Sequence, residues 1–160
     1  MSEIKISFLQ YMSIIWRNFG KYLDLCLKKY QIGSGQHFFL TSIYEKAGIT
    51  MYDLARLGKF DKGTVTKSVQ KLLELGYVNA VTDEKDKRVK HLYITEAAEP
   101  VIKEIYTIKS RWKQNLLSDF TEEEICQFTN QMERMAKMSC LTLKETAEEK
   151  ERGEMICQKQ

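Results

Sequence analysis

Proline and histidine are scarce in this sequence. Pro100 stands alone, and His37 and His91 are its two imidazoles. The four cysteines, Cys26, Cys126, Cys140 and Cys157, lie too far apart for a C-x-x-C metal knuckle, and two histidines do not make good the deficit. That argues against a zinc site. An apolar content of 43% argues against a disulfide framework, because such frameworks serve chains too small to build a core. The thiols are expected to be reduced, some buried as small hydrophobes. No apolar run approaches the ~18 residues that span a bilayer. The N-terminal MSEIKISF lacks the basic-then-apolar order of a secretory signal. The expected compartment is the cytoplasm, with no membrane partner. There is no G-x-S-x-G, no H-E-x-x-H and no Gly-rich phosphate loop. No catalytic residue, cofactor or metal ligand is assigned, and the chain is not expected to be an enzyme.

What is present is enough for a core. The 160 residues suit one domain, or a small domain with dimerisation arms. Net charge is only +3, but it is unevenly spread. Residues 1–118 hold 19 Lys/Arg against 12 Asp/Glu, and residues 119–160 hold 6 against 10. The basic excess therefore lies in the first three-quarters of the chain, as a polyanion reader requires.

Within that part, residues 61–95 organise the rest. Val65, Val69, Leu72 and Leu73 recur at helical spacing over Asp61–Leu75, with Asp61 an N-cap and Gly76 a C′ stop. Two strand-like runs follow, Tyr77–Thr82 and Val89–Ile94, joined by the polar loop Asp83–Arg88. A helix followed by a charged-tip hairpin is the pattern of a winged helix. Its chemistry suits duplex DNA. Thr64, Thr66, Lys67 and Gln70 are candidates for base edges, and Lys62 and Lys71 for phosphates. Lys85, Asp86, Lys87, Arg88 and Lys90 form the hairpin's candidate contacts. An arginine on a thin finger can enter a narrow minor groove, where the negative potential is enhanced.

Helices are expected on both sides. Ile4–Lys29 carries Phe8, Met12, Ile15, Phe19, Leu23 and Cys26/Leu27 along one stripe, which reads Cys26 as a core thiol. Ser34 is a candidate cap for a short helix at Gln36–Lys46. Thr50 and Asp53 resemble a capping box for a helix from Met51 to Leu57 that Gly58 ends, with Leu54, Ala55 and Leu57 facing inward. These make the helix-turn-helix. After the hairpin, Thr95 is expected to cap a helix to about Leu117, with Pro100 in its early turns. Thr121 and Glu124 form a second capping box for a helix through Thr142. Beyond Lys144 the apolar stripe fades, and residues 146–160 read as a polar tail, helical or frayed.

Asp86, Arg88, Leu92, Ile94 and Thr95 spell D-x-R-x-x-x-L-x-I-T, which resembles the wing signature of the MarR family of bacterial transcriptional regulators. The preceding DKGTVTKSVQKLLELGYV is similar to that family's recognition helix, and the resemblance extends less specifically from Ile4 to about Leu143. One departure is Ala97-Ala98, where the family often has glycine after the wing threonine. The resemblance implies a mainly α fold with a small β-hairpin wing: a winged helix-turn-helix over residues 36–95, with dimerisation helices over 1–30 and 96–145. It implies a homodimer on pseudopalindromic double-stranded DNA, with half-sites roughly 10 bp apart. A monomer whose terminal helices pack on each other is the alternative arrangement. Family members respond to small aromatic effectors or to oxidants at a cysteine. The candidates for an effector cleft are Trp16, Phe19, Tyr22, Phe38, Phe39 and Tyr44, all of which also suit a core. The competing function is a winged-helix module that contacts an acidic protein instead of DNA.

Overall fold

The structure is a computed structural model that describes residues 7–157. It divides into two compact units, residues 1–113 and 114–160. The first helix, α1, runs Phe8–Leu27, and Ile4 lies outside the described residues. Ser7 caps α1 in a reciprocal box with Gln10. The helix ends in a 3-10 turn, Lys28–Tyr30, with Gln31 in the left-handed region at φ 58°. Of its apolar stripe, Leu23 and Leu27 are fully buried, whereas Phe8, Tyr11, Met12 and Ile15 are exposed in the single chain.

Helix α2 spans His37–Glu45. Ser34 is not its side-chain cap. Its backbone N–H donates instead to the Asp24 carboxylate on α1 at 2.7 Å, and its carbonyl accepts from the His37 ring at 3.0 Å. Phe39, Leu40 and Ile43 go to the core. A two-residue strand, β1 (Ile49–Thr50), follows, then α3 (Met51–Gly58). The Thr50 hydroxyl accepts from the Asp53 N–H at 3.1 Å and donates to the Asp53 carboxylate at 2.8 Å. Gly58 is the last helical residue rather than the left-handed stop, which is Lys59 at φ 54°. Glycine is needed at 58 for another reason: a β-carbon there would sit 2.4 Å from the Phe60 ring and 2.7 Å from Phe38. Leu54 points inward as expected, but Leu57 is exposed, because inward positions on α3 recur one turn apart and 57 falls between them.

Helix α4 (Lys62–Glu74) closes in a Schellman motif. Gly76, at φ 73°, donates to the Leu73 carbonyl and Tyr77 to that of Leu72, both at 3.0 Å. Strands β2 (Val78–Thr82) and β3 (Lys90–Ile94) pair antiparallel, with Ala80 opposite Leu92. The expected two-stranded hairpin is a three-stranded sheet, ordered β1-β3-β2, because β1 adds to the outer edge of β3. Thr95 does not cap the next helix with its side chain. Its hydroxyl donates to the Gly76 carbonyl at 2.7 Å, tying the wing's exit to the end of α4. A 3-10 turn, Glu96–Ala98, leads into α5 (Glu99–Leu116), where Pro100 is tolerated as the second residue. Ala98 is fully buried, a small packing residue at the entry to α5. Val101, Ile102, Ile105 and Ile108 complete the core of the first unit. Trp112 is half-buried, and Leu116, expected on the same face, is exposed.

The second unit contains α6, Glu122–Cys157, which continues past the point where the stripe fades. Its capping box forms as expected. The Thr121 N–H donates to the Glu124 carboxylate at 2.8 Å, and the Glu124 N–H donates back to the Thr121 hydroxyl at 3.3 Å. Residues 158–160 and the Cys157 side chain lie outside the described ones. No helix among the described residues is long and apolar enough to cross a membrane.

Candidate nucleic-acid interface

Helix α4 is amphipathic. Val65, Val69 and Leu72 are buried, and with them Ser68, a small polar residue that a hydrophobic-periodicity reading passes over. Lys62, Thr64, Thr66, Lys67, Gln70 and Lys71 are all exposed. Asp61 holds the start of the helix through two bonds: the Thr64 N–H donates to it at 2.9 Å and the Thr64 hydroxyl at 2.6 Å. The hydroxyl bond is the main reason the Asp61 carboxyl lies below its ordinary value, with the amide bond next. Thr66 donates its hydroxyl proton to the Lys62 carbonyl at 2.8 Å. Both threonine hydroxyls thus spend their protons inside the helix and offer lone pairs and methyl groups outward. Such a surface accepts from base amino groups and packs on thymine methyls. The Gln70 amide donates to Glu74 at 3.1 Å, which leaves one N–H and its oxygen free.

Acid titration tests the cap. A depressed carboxyl stabilises the fold above its ordinary pKa of 3.8 and loses that contribution as pH falls through the folded value. Asp61→Ala should lower the urea midpoint at pH 7 and shrink its acid dependence, an outcome followed by far-UV circular dichroism. Equal acid dependence in both proteins would leave Asp61 without this role.

The wing tip is shaped by two aspartates. Asp83 accepts from the backbone N–H groups of Lys85 and Asp86 at 2.8 and 2.9 Å. The Asp86 carboxylate accepts from the Arg88 N–H at 3.0 Å and lies 3.6 Å from its guanidinium. The Arg88 side chain is 94% exposed. Lys85, Lys87 and Lys90 are exposed as well, so the candidate cations of helix and hairpin all face solvent.

Sequence reasoning missed the base of the wing. The His91 ring meets the Gly48 carbonyl through Nδ1 at 2.9 Å and the Asp83 carboxylate through Nε2 at 3.0 Å. A single histidine in a short strand carries no periodic signal, and β1, which sets Gly48 in place, is too short to show one.

A profile of the MarR family matches residues 30–89. The uncharacterized HTH-type transcriptional regulator YybA of Bacillus subtilis is 30% identical over 120 residues, 72% of this chain and 77% of that one. The chain belongs to the MarR family. A MarR transcriptional regulator from Methanosarcina mazei has the same fold with a TM-score of 0.75 and 33% identity, over 81% of this chain and 94% of that one. A MarR-family regulator from Listeria monocytogenes, solved with a 26mer DNA, is alike in fold at TM-score 0.77 and 22% identity, over 83% and 89% of the two chains. The protein is therefore an HTH-type transcriptional regulator of this family and not an enzyme.

Within this MarR-family chain the six aromatic candidates do not share one cleft. Trp16, Phe19 and Tyr22 line α1, where Phe19 and Tyr22 stand 5.5 and 5.1 Å from the Trp112 ring and Phe19 stands 5.9 Å from His37. Trp16, Phe19 and His37 border a groove of about 270 Å³ with Arg17 and Gly20. Burial, more than the Lys109 charge, pushes the His37 imidazole down to about 4. Phe38 and Phe39 pack instead with Phe60, at 5.2 and 5.1 Å, and Phe39 is buried. Tyr44 lies apart, half-exposed beside Tyr106 and Pro100. Tyr106 donates to Glu45, and its phenol is pushed up to about 12 by burial first and by Glu45 second. Cys26 is half-buried against the core, while Cys126 and Cys140 are exposed.

Proposed function

We propose that this regulator binds duplex DNA sequence-specifically as a homodimer on a pseudopalindromic operator, and that a small aromatic effector releases it. The observation that carries the reading is the outward face of α4. Every polar candidate on it is exposed while Val65, Val69 and Leu72 are buried and Leu73 is half-buried, and a basic wing stands beside it. Thr64, Thr66, Lys67 and Gln70 read base edges, and Lys62 and Lys71 hold phosphates. Lys85, Lys87, Arg88 and Lys90 follow the neighbouring backbone, with Asp86 holding Arg88. The 26mer DNA bound by the Listeria fold neighbour supports this assignment. The exposed α1 residues Phe8, Leu9, Tyr11, Met12 and Ile15 support pairing with a second copy, because so much contiguous apolar surface is rarely left to water. Residues 1–30 and 96–145 serve as dimerisation arms around the 36–95 reader. Of the effector candidates, Trp16 and Phe19 border a groove that suits a ligand, whereas Tyr22 packs on Trp112 and Phe39 suits the core.

The test is selection of bound duplexes from random DNA, repeated with two variants. Gln70→Ala should change the preferred base at one position of each half-site, a loss of about 1–3 kcal/mol. Lys71→Ala should weaken all sequences alike and reduce the slope of log K against log salt by about one. An unchanged preference profile would remove Gln70 as a base reader. Salt-insensitive binding to DNA, with tight binding to an acidic protein, would favour the protein-interaction module.

A further inference from the structure

The imidazole of His91 stands between two oxygen atoms that can only accept. Its Nδ1 faces the Gly48 carbonyl at 2.9 Å and its Nε2 faces an Asp83 oxygen at 3.0 Å. A neutral imidazole carries one N–H, so it satisfies one of these oxygens and turns a lone pair on the other. The imidazolium, with two N–H donors, satisfies both. The three groups come from three places: Gly48 precedes β1, His91 lies on β3, and Asp83 opens the wing loop. Asp83 also organises that loop, since its other oxygen receives the Lys85 and Asp86 N–H groups. Asp86 in turn receives the Arg88 N–H. A chain of hydrogen bonds therefore runs from the sheet edge, through His91, to the arginine at the tip.

We propose that His91 is a positioning residue for the wing: as an imidazolium it clamps Gly48 to Asp83, holding the tip in its DNA-contacting shape, and the clamp opens as the ring loses its proton. The DNA-binding half of this inference rests on the function proposed above. The groups around the ring are Thr50 across on β1, Val81 across on β2, Tyr93 two residues along β3, and Asp83. Among the described residues the charge that acts on the ring is that of Asp83. The Gly48 carbonyl first, and Asp83 next, hold the His91 imidazole above its ordinary value of 6.5. Asp83 lies below its ordinary value, mainly through the Asp86 N–H and then His91. With the imidazole raised, the clamp's contribution is complete below 6.5 and fades as pH climbs through the raised value. The other histidine, His37, is pushed down to about 4 and stays neutral throughout that range.

The experiment uses the full chain with two readouts. Long-range proton–nitrogen spectra of the imidazoles follow His91 from about pH 6 to about pH 8.5, across the histidine range. Binding to a duplex recovered from random-sequence DNA is measured over the same range at constant ionic strength. His91 should carry protons on both nitrogens at the acid end and titrate above 6.5, and Asp83→Asn should bring that titration down. Asparagine keeps the oxygen that receives the Lys85 and Asp86 amides, so the turn survives while the charge is lost. Wild-type affinity should fall by roughly threefold or more between the ends of the range, and Asp83→Asn and His91→Gln should flatten the profile. A His91 that titrates at or below 6.5, or a pH profile that persists in both variants, overturns the proposal. If no duplex is bound at any pH, the DNA reading fails alone, and the imidazole spectra still decide whether the clamp exists.

Discussion

Replacing Phe39 by alanine should destabilise the fold by about 3–5 kcal/mol, the range for deleting a buried aromatic ring. Phe39 is 1% exposed. Its ring meets Phe38 edge-on at 5.4 Å and Phe60 at 5.1 Å, which joins α2 to the turn that launches α4. Gly58 lets that turn pass close to the Phe38 and Phe60 rings, so the neighbours have little room to collapse into the space left behind. Against a typical domain stability of about 5–15 kcal/mol, the loss is a large fraction of the total. Urea unfolding at matched protein concentration reads it, the matching being required because the stability of the proposed dimer depends on concentration. DNA binding should fail with the fold and return at low temperature or with excess duplex. An unchanged midpoint with altered response to small aromatic ligands would instead place Phe39 in an effector cleft.

Phe39 also shows where sequence reading ends. The helix-turn-helix was legible because Val65, Val69 and Leu72 repeat at helical spacing and Asp61 and Gly76 punctuate it; all five do in the structure what their chemistry predicts. The wing was legible from its D-x-R spacing, and the Asp86–Arg88 contact realises it. Other features depend on groups far apart in the chain. Thr95 was read as a local cap, yet its hydroxyl finds Gly76, nineteen residues back. The third strand is two residues long, and its partner, Leu92, lies 43 positions from Ile49. The six aromatic candidates were grouped by residue type, whereas the packing sends them to different places. Periodicity says which side of a helix faces inward; it does not say which ring meets which.

Arg88→Ala should weaken specific DNA binding by about 1–3 kcal/mol, roughly five- to 150-fold, and leave fold and dimer intact. Its side chain is 94% exposed, so its removal opens no cavity. What it loses is a guanidinium that the loop presents in a fixed direction. The Arg88 N–H is tied to Asp86, Asp86 itself donates its N–H to Asp83, and the loop is closed where the Asp83 N–H meets the Val89 carbonyl at 3.0 Å. Little conformational freedom then remains to be lost on binding, which is how a preorganised contact gains affinity. The Asp86 contact costs Arg88 little, because at 3.6 Å and high exposure the ion pair is weak and yields readily to phosphate. Two destinations are separable. In a narrow minor groove, the loss should be largest on duplexes with A·T-rich flanks where the wing lands, since those flanks carry the deepest potential. On phosphate, the loss should be equal for all flanks and the salt slope should fall by about one. Arg88→Lys keeps the charge and should restore the phosphate case more fully than the groove case, because an ammonium lacks the planar fork. Unchanged affinity of Arg88→Ala at near-physiological salt, with the dimer intact, would remove the wing tip from the DNA interface.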